Sequence, residues 1–441
     1  MKILPLSEIT KLLNPTDTFA VPLATGQPMA LLNALNDRQD WDRLELFCGL
    51  IAFPYPVLMN KKVFVTSGYY GPIERFLNEQ GANMEYMPCN FRGIEKYARA
   101  KPARVVATTL SVADKDGYHS FGSHGAAVYR PFVEACRDPD RIAVAEINSN
   151  MPITYGLEEY GDNKIHKDKI DFAYETDASQ AEMPDLNPTD VEVKIASFVE
   201  SLIESGDTLQ FGIGAIPDII ASSLASGAKS DFGVHSELIS DGYLKMVEAG
   251  KVSNRNKAVF KDKTVFTFAF GKKNLYDFLD ERHGKNNRSQ LCLPVHVVND
   301  VSQIAKNPTF TSINSGLMID FSGQVCSESI AQRQYSGVGG QLSFVQGAYQ
   351  AEKGKTILCI KSTAEVGGKL VSNIYSQLPM GSIISTPRHF TQYIVSEYGV
   401  ANLYGVSDEK RPAELIKIAH PDFRDELQAS YDRLKKTVYK I

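Results

Sequence analysis

Two stretches far apart in the chain open in the same way, and this repetition limits the fold more than any other feature. LLNPTDTFAVPLATGQPMALL, from Leu12, can be laid on LIESGDTLQFGIGAIPDIIASSL, from Leu202, with Asp17-Thr18 over Asp207-Thr208. Each reads as helix, Asp-Thr, strand, Gly/Pro turn, helix. A second echo joins LSVADKDGYHSFGS, from Leu110, to LMIDFSGQVCSES, from Leu317, because Asp114 and Gly117 keep the spacing of Asp320 and Gly323. A repeated order of this kind implies a duplicated α/β unit. Amphipathic helices then flank a mostly parallel sheet, and sites collect at the strand C-terminal ends.

The stretch ETDASQAEMPDLNPTD loses periodicity and gathers Pro, Asp, Ser and Asn, so the domain boundary is expected there, dividing the chain into 1–185 and 186–441. VEVKIASFVESLIESGD follows with Ile195, Val199, Leu202 and Ile203 at helical spacing and Gly206 placed to end the helix. RVVATTL, RIAVAEI, TVFTFAF and TILCIKS are short, β-branched and apolar on both faces, as buried parallel strands are. The closing helix carries Leu427, Tyr431, Leu434 and Val438 on one stripe, which reads as core or as a subunit contact.

The 441 residues are 43% hydrophobic, enough for large cores. With 47 basic and 52 acidic residues the net charge is −5, and no dense Lys/Arg block suggests a nucleic-acid partner. LELFCGLIAFPYPVLM is broken by Glu45, Gly49, Pro54 and Pro56, short of the roughly 20 apolar residues a membrane span needs. MKILPLSEITKLLNP does not read as a signal peptide, and the six cysteines form no CxxC pair. A reduced, cytoplasmic setting without a membrane partner is expected.

The chemistry-bearing motifs each have two readings. GIGAIP, Gly212 to Pro217, lies between a strand and a helix, where bare N–H groups meet a phosphate, or where glycine serves only a tight turn. SGVGGQ, Ser336 to Gln341, either exposes main-chain amides for an oxyanion or is a flexible hairpin. In FGVHSELISDG, Glu237 is a solvated strand-end acid, a metal partner of His235, or a carboxylate nucleophile. No second metal-ligating cluster lies nearby, and no GxSxG elbow supports a serine triad. Cys326 and Cys359 lie in apolar strand-like settings that disfavour a thiolate, and His420 reads as capping or packing near the last helix.

Taken as a set, ATGQP, DGYHSFG, EINSNMPITYG, GIGAIP, HSELISDG, INSGLMIDFSGQV, RQYSGVGGQLSF, VSEYGVANLYG and IAHPDFRDEL resemble the acetyl-CoA hydrolase/transferase family. Within it the chain is most similar to glutamate-dependent CoA-transferases of the 4-hydroxybutyrate, butyrate and acetate type. The resemblance implies two similar open α/β domains with the active site between them and the catalytic glutamate in the second. It implies that Glu237 is the nucleophile, that the Gly339-Gly340 pair serves the oxyanion, and that Gly337 is one of the CoA-binding positions. It gives Gly212, Ile213, Gly214, Ala215 and Ile216 contact with CoA, and Lys361 a CoA-binding role. Asn299, Asn314 and Glu397 become polar site positions, and Gly26 and Gln27 fall in a substrate loop facing the glutamate.

The implied substrates are acyl-CoA and small carboxylic acids, with CoA as substrate and product and neither a resident cofactor nor a metal. The assembly implied is a homodimer or higher homo-oligomer. A hydrolase would use the same glutamate, and a protein that only binds CoA would show no exchange. The chain departs from the family at Met318-Ile319-Asp320, at Cys326-Ser327-Glu328 and in FPYPVLMNKKVFVTSGYYGPIERF, segments that bear on acyl specificity.

Overall fold

A computed structural model describes residues 1–125, 129–184, 187–283 and 288–439. The chain forms two compact units, one of Met1–Pro184, Ser236–Asp241 and Lys263–Asn299, the other of Asp185–His235, Gly242–Asp262 and Asp300–Ile441. The boundary expected at 185 and 186 falls on positions outside the described residues. The units are also not the contiguous halves expected, since two later segments return to the first unit. Leu238–Ile239 pairs in parallel with Phe268–Ala269, and Leu238 and Phe268 pack with Leu23, Ala24, Phe91 and Ile94. That apolar contact assigns Glu237 to the first unit rather than the second.

The first unit holds an eight-stranded sheet. Its strands are β1 (Lys2–Ile3), β2 (Thr16–Leu23), β3 (Arg43–Gly49), β4 (Val63–Ser67), β5 (Asn83–Tyr86), β6 (Val105–Leu110), β7 (Ile142–Asn148) and β8 (Phe172–Thr176). They lie in the order β1-β8-β7-β6-β2-β3-β4-β5, every pair parallel. Order grows outward from β2 to β5, then reverses at β6 on the other side of β2. Ligands of open α/β sheets bind at such a reversal, outside the strand C-termini. ATGQP is the turn that leaves β2 at that place. It leads into α1 (Met29–Ala34), while α2 (Pro72–Glu79) and α3 (Phe91–Ala100) follow β4 and β5. Asn90 caps α3 by accepting from the Gly93 N–H at 2.8 Å, and Phe91 and Ile94 turn inward.

The second unit has a six-stranded sheet of β9 (Thr208–Phe211), β10 (Gly233–Val234), β11 (Phe310–Ser315), β12 (Lys355–Cys359), β13 (Tyr393–Ser396) and β14 (Gly399–Asn402). The order is β10-β9-β11-β12-β13-β14, parallel except for the β13–β14 hairpin. Here the reversal lies between β9 and β11, and GIGAIP leaves β9. Helix α4 (Asp190–Leu202) starts in a capping box of Thr189 and Glu192 and buries Ile195, Ala196 and Val199. It stops at Leu202, ahead of Gly206, which takes φ 89° in the next turn. Helices α5 (Ala215–Ser226), α6 (Gln341–Gln350) and α7 (Pro421–Leu434) complete the elements used below.

The sequence echo has a physical content. Asp17 accepts the Asn14 N–H at 2.7 Å and pairs with Arg104, just before β6. Asp207 accepts the Glu204 N–H at 3.0 Å and pairs with Lys355, at the start of β12, at 3.2 Å. Asp17 thus ties the approach to β2 to β6, its neighbour across the reversal, whereas Asp207 accepts the hydroxyl of Thr311 in β11 at 3.1 Å and reaches β12 beyond it through Lys355. The second echo is a repeated turn. Gly117 and Gly323, at φ 85° and 95°, donate to the Asp114 and Asp320 carbonyls at 3.0 and 2.9 Å.

TVFTFAF is not one sheet strand. It splits into Thr264–Phe266, paired with Gln290–Cys292, and Phe268–Ala269, both outside the large sheets. Leu427 and Tyr431 join a buried cluster, with Leu434 packed against it, whereas Val438 is exposed. His420 accepts the Asp422 N–H at 3.3 Å and caps α7. Among the described residues no helix is long and apolar enough to cross a membrane.

Candidate active site

Glu237 sits where the chain leaves the second unit's sheet for the first unit's two-residue strand. Its carbonyl accepts the Thr267 and Phe268 N–H groups at 2.9 and 3.2 Å and the Thr267 hydroxyl at 3.1 Å. Its main chain is thereby fixed, while the side chain is half-buried. Asn299 Nδ2 donates to Glu237 Oε2 at 2.6 Å, a short charge-assisted bond that sets the carboxylate's direction. Asn299 itself is buried, directly after the short helix Val295–Val298, and its N–H donates to the Val295 carbonyl at 2.9 Å. Its Oδ1 is buried without a hydrogen-bond partner among the described residues.

That short helix is held in turn by Glu95 of α3. Glu95 Oε2 lies 3.2 Å from His296 Nδ1, and its Oε1 lies 3.2 Å from Arg130 Nη1. The path from α3 to the Glu237 carboxylate runs Glu95, His296, Asn299, Glu237, all within one unit.

The loops leaving β2 and β3 are unusually constrained. Ala24 and Leu50 take φ 39° and 43°, a region costly for side-chain-bearing residues, and the Ala24 N–H donates to the Leu50 carbonyl at 2.9 Å. Gln27 Oε1 accepts the Ala52 N–H at 3.0 Å and the Tyr55 hydroxyl at 3.2 Å. The Gln27 side chain thus holds the β3 loop. Gly26 must be glycine, because a Cβ there would come 2.3 Å from the His124 ring.

Buried carboxylates brace both loops. Glu74 accepts the Ile51 N–H at 2.8 Å and the Gly71 N–H at 3.0 Å, and burial pushes its carboxyl up to about 7. Glu146 accepts the Ala30 N–H at 3.0 Å at the start of α1, and burial raises it to about 6. Neither acid stands out in the sequence, because a glutamate in an α/β chain is ordinarily solvated.

The second unit carries the remaining expected positions in separate groups. Gly212 donates to the Ile313 carbonyl at 2.9 Å, and a Cβ on it would come 2.9 Å from Asn314 Oδ1. Gly214 opens α5 at φ 126°, ahead of Ala215 and Ile216, and Ile213 is exposed. Pro217, in the first turn, has no N–H and the Asp218 N–H bonds the Gly214 carbonyl at 3.4 Å, which leaves the N–H groups of Ala215 and Ile216 at the helix start, the kind of end at which anions bind. Asn314 spends its amide inside the sheet, donating to Gln210 Oε1 at 3.0 Å and Ser312 Oγ at 2.9 Å and accepting from Gln210 Nε2 at 3.1 Å. It supports the turn from beneath.

Gly339 takes φ 54° and Gly340 precedes α6, with Gly337 buried in the same turn. Lys361, two residues past the end of β12, lies 2.9 Å from Glu192 Oε1. Glu397 accepts the Ser362 N–H at 3.0 Å and the Ser362 hydroxyl, so it orients the segment carrying Lys361. Of the cysteines considered, Cys359 is fully buried and its thiol is pushed up to about 12 by that burial. His235 packs its ring against Phe260, Phe310 and Phe344, at 5.9, 5.8 and 6.3 Å, as a core residue does.

Residues 271–431 match the family model of the acetyl-CoA hydrolase/transferase C-terminal domain. The chain is 37% identical to 4-hydroxybutyrate coenzyme A transferase of Clostridium kluyveri over 93% of its own length and 92% of the relative's. It is 35% identical to a probable butyrate:acetyl-CoA coenzyme A-transferase of Syntrophomonas wolfei, over 89% and 87%. The solved structure of RipA from Yersinia pestis superposes with a TM-score of 0.87 at 29% identity, covering 98% of this chain and 97% of that one. A 4-hydroxybutyrate CoA-transferase from Porphyromonas gingivalis gives 0.77 at 29% identity over the same shares, 98% and 97%.

Proposed function

The chain belongs to the acetyl-CoA hydrolase/transferase family and is a CoA-transferase, and from that premise we propose that it moves CoA from a short-chain acyl-CoA to a free carboxylic acid through a covalent Glu237 intermediate. The observation that carries this reading is the 2.6 Å bond from Asn299 Nδ2 to Glu237 Oε2. It aims a carboxylate whose main chain is already fixed. Alignment of this kind supplies effective molarities of about 10⁵ M or more, which a weak nucleophile needs.

Glu237 attacks the thioester carbonyl. The C–S bond breaks, leaving a glutamyl–acyl anhydride and CoA thiolate. The thiolate then attacks the glutamyl carbonyl, which releases the donor acid as its carboxylate and leaves a glutamyl-CoA thioester. An acceptor carboxylate reverses both steps. Each tetrahedral oxyanion calls for main-chain donors, worth roughly 3 kcal/mol apiece, and the Gly339-Gly340 turn is assigned that part. The anion-binding end at Gly212 to Ile216 and the Lys361 ammonium supply the chemistry that CoA phosphates require. Nucleophile and leaving group are anions throughout, so no general base takes part.

Incubation with acyl-CoA and no acceptor should leave a stoichiometric adduct. Borohydride should reduce the glutamyl thioester to an alcohol in the peptide containing FGVHSELISDG and inactivate the enzyme, while enzyme kept from acyl-CoA survives. Double-reciprocal lines should be parallel. Intersecting lines with borohydride resistance would mean a ternary complex and would overturn the covalent scheme. CoA release that is unchanged by added acetate would show that water is the acceptor.

A further inference from the structure

The path that ends on Glu237 begins at a buried charge. Glu95 is buried with Phe91 and Ile94 on α3, and its side chain is only 6% exposed. Burying a carboxylate is costly, and an apolar side chain of similar volume often serves stability as well. What an apolar residue cannot supply is direction. Arg130 Nη1 faces Glu95 Oε1 at 3.2 Å without the alignment of a hydrogen bond. Among the described residues the one hydrogen bond of the carboxylate runs to His296 Nδ1, at 3.2 Å. A carboxylate only accepts, so the imidazole donates.

His296 belongs to a helix too short to hold itself. Val295–Val298 spans four residues, and a single turn fixes more dihedrals than its hydrogen bonds repay. It is fastened at two points. Val295 is fully buried in one cluster with Ile94, Leu238 and Phe268, which sets where the turn lies. Apolar contact has no direction, so it leaves the rotation of the turn open. The bond from His296 to Glu95 closes that freedom. The turn then delivers Asn299, whose N–H donates to the Val295 carbonyl at 2.9 Å and whose Nδ2 meets Glu237 Oε2 at 2.6 Å.

We propose that Glu95 and His296 are positioning residues of the transfer reaction: their bond sets the rotation of the Val295–Val298 turn and, through Asn299, the aim of the Glu237 carboxylate. The inference rests on Glu237 being the attacking group. Both residues act through Asn299, and a shift of about 1 Å at its amide is enough to cost about a hundredfold in rate.

Glu95→Met and Glu95→Gln both keep the length of the side chain, and only Gln keeps an oxygen that accepts from His296. The assay is transfer from butyryl-CoA to acetate, with kcat expressed per CoA-binding site counted by CoA titration, so that unfolded variant does not enter. Glu95→Met should lower kcat about tenfold or more with KM for butyryl-CoA within about twofold, while Glu95→Gln stays within about threefold of the parent. His296→Leu should match Glu95→Met. On an Asn299→Ala background, where the aiming amide is already gone, Glu95→Met should cost less than about twofold more.

A brace that served only the fold would lower the denaturation midpoint and leave kcat per site at the parental value, a pattern that overturns the inference. Equal losses in the Gln and Met variants overturn it too, as does a loss of about tenfold added on top of Asn299→Ala. All three leave the covalent reading intact. Absence of the borohydride-sensitive adduct in the unaltered enzyme would strike the covalent reading itself.

Discussion

Asn299→Asp turns the donor that aims the Glu237 carboxylate into a second carboxylate of nearly the same shape. The parent bond is 2.6 Å between heavy atoms, so the two carboxylate charges would sit about 4 Å apart, where repulsion is about 4 kcal/mol at an effective dielectric of 20. That equals roughly three pK units, enough to lift one proton of the pair from the ordinary carboxylate range to about 7. Above that pH both acids are ionised and Glu237 is pushed from its aim. Below it, the protonated member donates an O–H bond and restores the alignment.

The variant should lose about a hundredfold or more in kcat/KM at pH 8 and recover about tenfold of that loss by pH 6, relative to the parent at each pH. Asn299→Ala removes the donor without adding charge. Loss of a hydrogen bond to a charged group costs about 1.5–3 kcal/mol, or roughly 10- to 150-fold, with no recovery in acid. The assay is initial-rate transfer from acyl-CoA to acetate across pH 5.5 to 8.5. A variant-to-parent ratio that is flat or rises with pH would refute the argument, as would Asn299→Ala retaining more than half its activity.

Glu237→Gln or Glu237→Ala should abolish transfer while CoA still binds, and retention of more than about a hundredth of the activity would remove Glu237 from the nucleophile role. Glu237→Asp should be severely impaired too, since a misplacement of about 1 Å already matters. Lys361→Ala should raise KM for acyl-CoA about tenfold with kcat little changed, consistent with loss of one charge-assisted contact; an unchanged KM counts against a CoA-binding role. Glu74, raised to about 7 by burial, keeps its proton in the native state across a range where the unfolded chain has released it. Its contribution to stability is therefore present at low pH and is lost as pH rises from about 4.5 through 7. Glu74→Gln removes that slope, so the stability difference should move by roughly 2–3 kcal/mol in the variant's favour between pH 5 and pH 8, read from denaturant midpoints; parallel pH curves would show that Glu74 does not titrate there.

The duplicated architecture is legible because its signals are local. Asp17 and Asp207 hold equivalent turns, and Asp-Thr followed by strand and glycine turn survives in both halves. Strands such as Val105–Leu110 are buried along their whole length and read as continuous apolar runs. The unit to which Glu237 belongs is not legible, because a pairing of two residues with two, Leu238–Ile239 with Phe268–Ala269, is too short to leave a period. The same brevity makes TVFTFAF look like one strand. Asn299 and Glu397 enter through resemblance to a family, and their partners come only from geometry. Ala24 and Leu50, at positive φ, are residue types that give no warning of such a backbone. Asn314 shows the converse, a polar residue whose amide is consumed within the sheet.

The chain passes between its two units at 184/185, 235/236, 241/242, 262/263 and 299/300. During synthesis, the eight-stranded sheet is therefore complete in sequence well before Leu238, Phe268 and Asn299 leave the ribosome. At 5–20 residues per second the interval is about ten seconds, during which Leu23, Phe91 and Ile94 lack their later cover. Chaperone capture of stalled nascent chains should map to those three side chains, and should cease once the stall lies past Asn299. For the same reason a single proteolytic cut near 185 cannot release a finished first unit, since the piece freed would lack Glu237 and Asn299 together.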